Sequence, residues 1–215
     1  MARINWKVCF MIECPMGLTA RQEHAGYRRM MILFVCTGNT CRSAMAEAVL
    51  RARLDERGGD VSALFLEVAS AGTDVHWGAD GVEATPLAVE VLARRGIDLS
   101  EHASRSLTFE LVTGANLVVA MTRLHQAAVS ALDPAARART FLAGEVVRLG
   151  GQVGPREDRP LDEWIQALDG ARGGHFTAGR VADEVPDPWG EPIDEYRRCA
   201  DRLDGIATSL ARLLA

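Results

Sequence analysis

No apolar stretch of this 215-residue sequence approaches the roughly 18 residues that cross a bilayer, and Val8 to Ile12, the longest N-terminal run, is too short for a signal-peptide core. There is no excess of positive charge either. With 24 Lys and Arg against 29 Asp and Glu, the net charge is −5, so no broad field draws in nucleic acid or an anionic membrane. Any anion the protein binds must be held locally. Cysteines are few and odd in number: Cys9, Cys14, Cys36, Cys41 and Cys199 follow no zinc-like spacing and make no even disulfide framework. Histidines and acids form no metal-ligating motif, and neither a repeat nor a low-complexity segment is present. What is left is a cytoplasmic α/β protein without metal or cofactor, its thiols reduced, and cysteine chemistry becomes the question.

The length suits one domain with room for an insertion. Residues 1–29 carry scattered charge around Cys14-Pro15-Met16-Gly17 and keep no period, so a mobile N-terminal extension is expected there, the alternative being an edge strand over Trp6 to Ile12. From Met31 the pattern is regular. Ile32-Leu33-Phe34-Val35 reads as a parallel strand buried on both faces, and Ala44, Met45, Ala48, Val49 and Ala52 then recur at helical spacing until Gly58-Gly59. Leu64 to Ala71 reads as a second strand, and Thr85-Pro86 opens a helix closed by Gly96. Leu117 to Met121 is a third strand, Arg123 to Leu132 a helix stopped by Asp133-Pro134, and Thr140 to Leu149 contains a fourth strand. This alternation predicts a four-stranded, doubly wound parallel sheet with helices on both faces, residues 30–215 forming one domain. From about 150 to 185 the rhythm breaks, and a surface excursion is expected around one amphipathic stretch, Leu161, Trp164, Ile165 and Leu168. Ile193 to Leu214 then march at helical spacing, predicting a last helix against the sheet.

The chemistry sits in Cys36-Thr37-Gly38-Asn39-Thr40-Cys41-Arg42-Ser43, between a buried strand and a helix N-terminus. Backbone N–H groups of such a loop, with the helix dipole behind them, bind anions and stabilise a thiolate, the form of cysteine that attacks. Arg42, six positions after Cys36, brings a planar fork able to grip two oxygens of a tetrahedral anion. Gly38 allows close approach, Asn39 tolerates left-handed backbone and braces the loop, and Ser43 supplies a hydrogen bond to the sulfur. The parts fit phosphoryl transfer through sulfur.

Ile32 to Ser43, followed by Met45-Ala46-Glu47, resembles the low-molecular-weight protein tyrosine phosphatase family. Ser70-Ala71-Gly72-Thr73, Ala84-Thr85-Pro86, His102-Ala103-Ser104-Arg105, Ala120-Met121-Thr122 with His125, and Asp187-Pro188-Trp189-Gly190 resemble further family segments in the same order. The resemblance covers residues 31–149 and 183–215. It implies Cys36, Arg42 and Asp187 as catalytic residues, with Asp187 the general acid and Trp189 a wall of the cleft. Thr37, Gly38, Asn39, Thr40, Cys41 and Ser43 would line the substrate. Thr40, where tyrosine phosphatases of the family usually carry an apolar residue, resembles the protein arginine phosphatase branch, so a phosphoarginine protein substrate is favoured with phosphotyrosine as the alternative. Cys41 is placed for a reversible disulfide with Cys36, while Cys199 reads as a buried bystander and His102 and His125 need no catalytic role. Asn116 departs from the more usual acidic residue, with only local capping expected to change. A monomer needing no metal is expected.

Two rival readings differ in class. A thiol-dependent arsenate reductase would need relay cysteines late in the chain, where only Cys199 stands. A non-catalytic phosphopeptide-binding module would lack the nucleophile, the arginine or the acid, and here all three are present.

Overall fold

Four consecutive apolar residues at 32–35 leave neither face of a strand for water, and alternate side chains accordingly enter different cores. The structure, a computed structural model, describes residues 30–57, 66–74, 81–172 and 180–215. In strand β1 (Met30–Cys36), Ile32, Phe34 and Cys36 belong to a large core, and Leu33 and Val35 to a smaller one on the opposite face. Strands β2 (Leu66–Gly72), β3 (Leu117–Ala120) and β4 (Thr140–Leu142) complete one sheet in the order β2-β1-β3-β4. Every pairing is parallel, with Ile32 opposite both Val68 and Leu117, and Val118 opposite Thr140.

Helices cover both faces, as expected. Helix α1 (Arg42–Glu56) and α2 (Pro86–Ala93) build the large core, while α3 (Phe109–Gly114) and α4 (Arg123–Leu132) close the smaller one through Val112 and Val129. The second helix ends at Ala93, and Gly96, at φ +73°, completes the turn after it. The proposed extension at residues 1–29, the Trp6 to Ile12 alternative and Gly58-Gly59 lie outside the described residues.

The fourth strand falls within Thr140 to Leu149, as expected, but is short. Strand β4 has only three residues, because Glu145 turns back to accept the Leu142 N–H at 3.0 Å and starts helix α5 (Ala143–Val153). Arg172, whose side chain is itself buried, fixes that carboxylate at 3.1 Å and lies 3.9 Å over the Phe141 ring. The expected surface excursion at 150–185 instead packs inward: in helix α6 (Leu161–Ala171), Leu161, Trp164, Ile165 and Leu168 are all buried in the large core. Trp164 Nε1 donates to the Gly154 carbonyl at 2.9 Å, satisfying the one polar atom of that ring. Helix α7 (Ile193–Leu213) lies across α1, α2 and α5, and Arg156 caps its C-terminus by donating to the Leu214 carbonyl at 3.0 Å. Asn116 does more than local capping. Its amide accepts from the Met31 N–H at 3.0 Å and donates to Asp162 at 2.9 Å, tying the start of β1 to α6.

Because Trp164 is fully buried, Trp164→Ala is expected to lower unfolding free energy by about 3–5 kcal/mol. Urea unfolding reads it; a change under about 0.5 kcal/mol, normal for an exposed site, would place α6 outside the core.

Candidate active site

In a doubly wound sheet the connections leaving two neighbouring strands in opposite directions open a crevice at the strands' C-terminal ends. Here that switch point lies between β1 and β3, since β2 continues on one side of β1 and β4 on the far side of β3. Residues 36–42 leave β1 there and run into α1, whose first-turn amides have no partner within the helix.

Asn39 explains how the loop holds its shape. It is fully buried and left-handed at φ +53°, a conformation asparagine tolerates. Its amide donates to Ser43 Oγ at 3.0 Å and Ser70 Oγ at 2.8 Å, its side-chain oxygen accepts the Arg105 N–H at 2.9 Å, and its carbonyl takes His102 Nε2 at 2.6 Å. Ser70 in turn donates to Glu47 at 2.5 Å. An amide NH2 only donates, so Ser43 accepts from Asn39 and keeps its own proton for the Cys36 sulfur 3.0 Å away. That hydrogen bond is placed to support the sulfur as nucleophile and, later, as leaving group.

Arg42 is 4% exposed. Its Nη1 donates to the Val185 carbonyl at 3.4 Å, and its Nη2 to Thr37 Oγ1 at 3.3 Å and Asp187 Oδ2 at 2.5 Å. Val185 is pinned by its own N–H to the Met121 carbonyl at 2.8 Å, just past β3, and this carries the following Asp-Pro segment to the loop. Asp187 remains about half exposed, its other oxygen accepting the Trp189 N–H at 3.2 Å. Trp189 stands beside it with its residue surface 70% exposed. Thr40 is anchored through its carbonyl to the Thr85 N–H at 2.8 Å, and a Cβ on Gly38 would sit 3.5 Å from its hydroxyl oxygen. Gly38 and the Thr40 hydroxyl therefore share one stretch of the loop.

The three described cysteines, Cys36, Cys41 and Cys199, are buried and free. Burial pushes the Cys41 thiol far up from its ordinary range and the Cys199 thiol up to about 12, so both stay protonated at neutral pH. The structure thus gathers Cys36, Thr37, Gly38, Asn39, Thr40, Ser43, Arg42 and Asp187 around one loop, with Cys41 turned into the core behind it. Sequence reading missed the outer contacts of Glu47, Ser70, Arg105 and Val185, and assigned no role to His102 or His125. Both histidines touch the loop: His125 Nε2 lies 3.0 Å from Thr37 Oγ1. Among the described residues no group of His, Cys, Asp and Glu is arranged to hold a metal, and no helix is long and apolar enough to cross a membrane.

Residues 31–148 match the model of a family described as low molecular weight phosphotyrosine protein phosphatase. A protein-arginine-phosphatase of Bacillus subtilis is 34% identical over 185 residues, covering 86% of this chain and 97% of its own. The low molecular weight protein-tyrosine-phosphatase Etp of Escherichia coli is 40% identical over 114 residues, 53% of this chain and 69% of its own. Among solved structures, a YwlE arginine phosphatase mutant with a phosphorylated active-site serine superposes with a TM-score of 0.62 at 33% identity, over 85% of this chain and 93% of that one.

Proposed function

Because the chain belongs to the low molecular weight phosphotyrosine protein phosphatase family, we propose that it removes phosphate from arginine side chains of proteins, with Cys36, Arg42 and Asp187 as its catalytic residues. The observation that carries the catalytic reading is the Cys36 sulfur 3.0 Å from Ser43 in a loop whose arginine is already held against Asp187 at 2.5 Å.

The reaction is a phosphatase reaction in two steps through a cysteinyl-phosphate. The Cys36 thiolate attacks phosphorus and the bond to the leaving nitrogen or oxygen breaks, its electron pair taking a proton from Asp187. Arg42 and the loop amides hold the three equatorial oxygens as charge redistributes among them. In the second step Asp187, now a carboxylate, takes a proton from water. That water displaces the sulfur from phosphorus, Ser43 supports the departing thiolate, and inorganic phosphate leaves. Thr37, Gly38, Asn39, Thr40, Cys41 and Ser43 form the phosphate cradle in this reading, and Trp189 walls the entrance. In this reading the protein acts in the cytoplasm as a monomer on phosphorylated proteins.

Two features favour phosphoarginine. Thr40 puts a hydroxyl beside Gly38 on the phosphate loop, where a polar phosphoguanidinium finds a hydrogen-bond partner that a phenyl ring cannot use. The similarity to a protein-arginine-phosphatase also runs through most of both chains. The exposed Trp189 is the specific observation for phosphotyrosine, since its ring offers a stacking surface. The test compares turnover of phosphoarginine and phosphotyrosine peptides by wild type and Thr40→Ile. Wild type is expected to prefer phosphoarginine, and Thr40→Ile to shift the ratio of kcat/KM toward phosphotyrosine by about tenfold or more, the worth of one hydrogen bond to a charged group. Preference for phosphotyrosine in both proteins would make Thr40 a spacer and the phosphotyrosine reading the correct one.

A further inference from the structure

The reaction leaves one buried group at the loop unused. His125 is the third residue of α4 and 4% exposed. Its Nδ1 lies 3.1 Å from the backbone nitrogen of Thr122, which can only donate, so Nδ1 is the acceptor and the proton of the neutral ring sits on Nε2. Nε2 therefore donates to Thr37 Oγ1, 3.0 Å away. Arg42 Nη2 donates to the same oxygen at 3.3 Å. With both lone pairs of that hydroxyl occupied, its own proton must serve a third partner. Thr37 follows the nucleophile directly and is exposed, so the partner at hand is a ligand over the loop.

We propose that His125 is a positioning residue of the phosphatase reaction: by donating to Thr37 it makes the Thr37 hydroxyl a donor to a phosphoryl oxygen and holds the Arg42 fork in register. The proposal rests on the phosphatase reading above. The charges around the ring suit a neutral donor. Burial, then the adjacent Arg42 guanidinium, push its pKa down to about 4 against the opposing pull of Glu184, itself bound to Arg123 at 2.6 Å. Asp187, on the far side of Arg42, balances that guanidinium. The ring is thus uncharged from pH 5 to 8, and Nδ1 stays free to accept from Thr122.

A residue that acts through another gives a coupled cycle, whereas one that merely fills space gives additive losses. The variants are Thr37→Val, which keeps the shape and removes the hydroxyl, His125→Ala, the double variant, and His125→Gln, whose amide can still donate. Steady-state kcat and KM on p-nitrophenyl phosphate are the readouts, with thermal midpoints recorded beside them. Thr37→Val and His125→Ala are each expected to lower kcat about tenfold with little change in KM, and the double variant to be no more than about twofold worse than either. His125→Gln should regain most of the loss. A double variant about 100-fold down, the product of two independent losses, overturns the proposal, as does His125→Gln no better than His125→Ala. Should His125→Ala fail to fold, full activity in Thr37→Val alone overturns it. A wild type inactive on every phosphate ester and on phosphoarginine peptides alike would instead remove the phosphatase reading, an outcome distinct from any result of the cycle.

Discussion

Cys36→Ser is expected to lose turnover by about 10⁴-fold or more while still binding inorganic phosphate within about threefold of wild type. The binding groups are independent of the sulfur: the guanidinium of Arg42 and the braced loop around Asn39 keep every contact described above. What changes is the nucleophile. A serine hydroxyl is a far weaker nucleophile than sulfur, and any phosphoserine that forms has an oxygen leaving group that resists the second step. Steady-state kinetics with calorimetric phosphate titration separates the two effects. Rapid quench of wild type should in addition trap a phosphoryl adduct on the Cys36 peptide. Turnover within a hundredfold of wild type, or an adduct on another residue, would take the nucleophile's role from Cys36.

The second large effect belongs to Asp187. Asp187→Ala is expected to lower kcat about 10²–10³-fold, with the loss steepest for basic leaving groups such as the guanidine of arginine and shallow for p-nitrophenol. The same substitution should tighten competitive inhibition by phosphate, since Arg42 Nη2 loses its partner at 2.5 Å and the entrance loses a negative charge. An incoming phosphoryl oxygen and the Asp187 carboxylate want the same N–H. In the proposed mechanism substrate entry would displace the carboxylate from the arginine, and the Trp189 N–H on its other oxygen would keep it over the loop as the leaving group arrives. Asp187→Asn retains the shape of the side chain without an acid proton, so a matching kcat loss in both variants assigns the effect to proton transfer. Equal losses across leaving groups of differing basicity would make Asp187 structural.

Much of this site could be read from eight consecutive residues, because a phosphate loop carries its nucleophile, its turn and its cation within one connection. The braces could not. Asn39 reaches Ser70 across 31 positions, His102 across 63 and Arg105 across 66, while Arg42 reaches Val185 across 143. No local pattern encodes such pairs; the crossover of the sheet makes them. His125 left one faint signal, its place three residues after the Thr122 that caps α4. The fold shows the same division. Strands β1 and β3 were legible as short apolar runs, but the fourth strand could be placed only somewhere in Thr140 to Leu149, and the glycines from 150 onward read as a break in the rhythm. Gly150 in fact lies inside α5, where a side chain would collide with Leu213 of α7. That glycine permits two helices to touch and does not end one. Trp164 was likewise visible as part of an amphipathic stretch, yet only the three-dimensional arrangement shows that its ring fills the core.

The distance along the chain between Arg42 and Asp187 has a consequence for biosynthesis. Their contact spans 145 positions, and at 5–20 residues per second the ribosome needs roughly 7–30 s to deliver the second after the first. Strand β1, the loop, α1 and β2 are in hand early, because their mutual contacts are short in sequence. In the proposed mechanism the nascent chain thus carries Cys36 and Arg42 well before its proton donor, and hydrolysis would wait for the segment that Val185 fastens to Met121. A chain stalled before residue 187 would, in that mechanism, carry the nucleophile and the arginine but lack the proton donor.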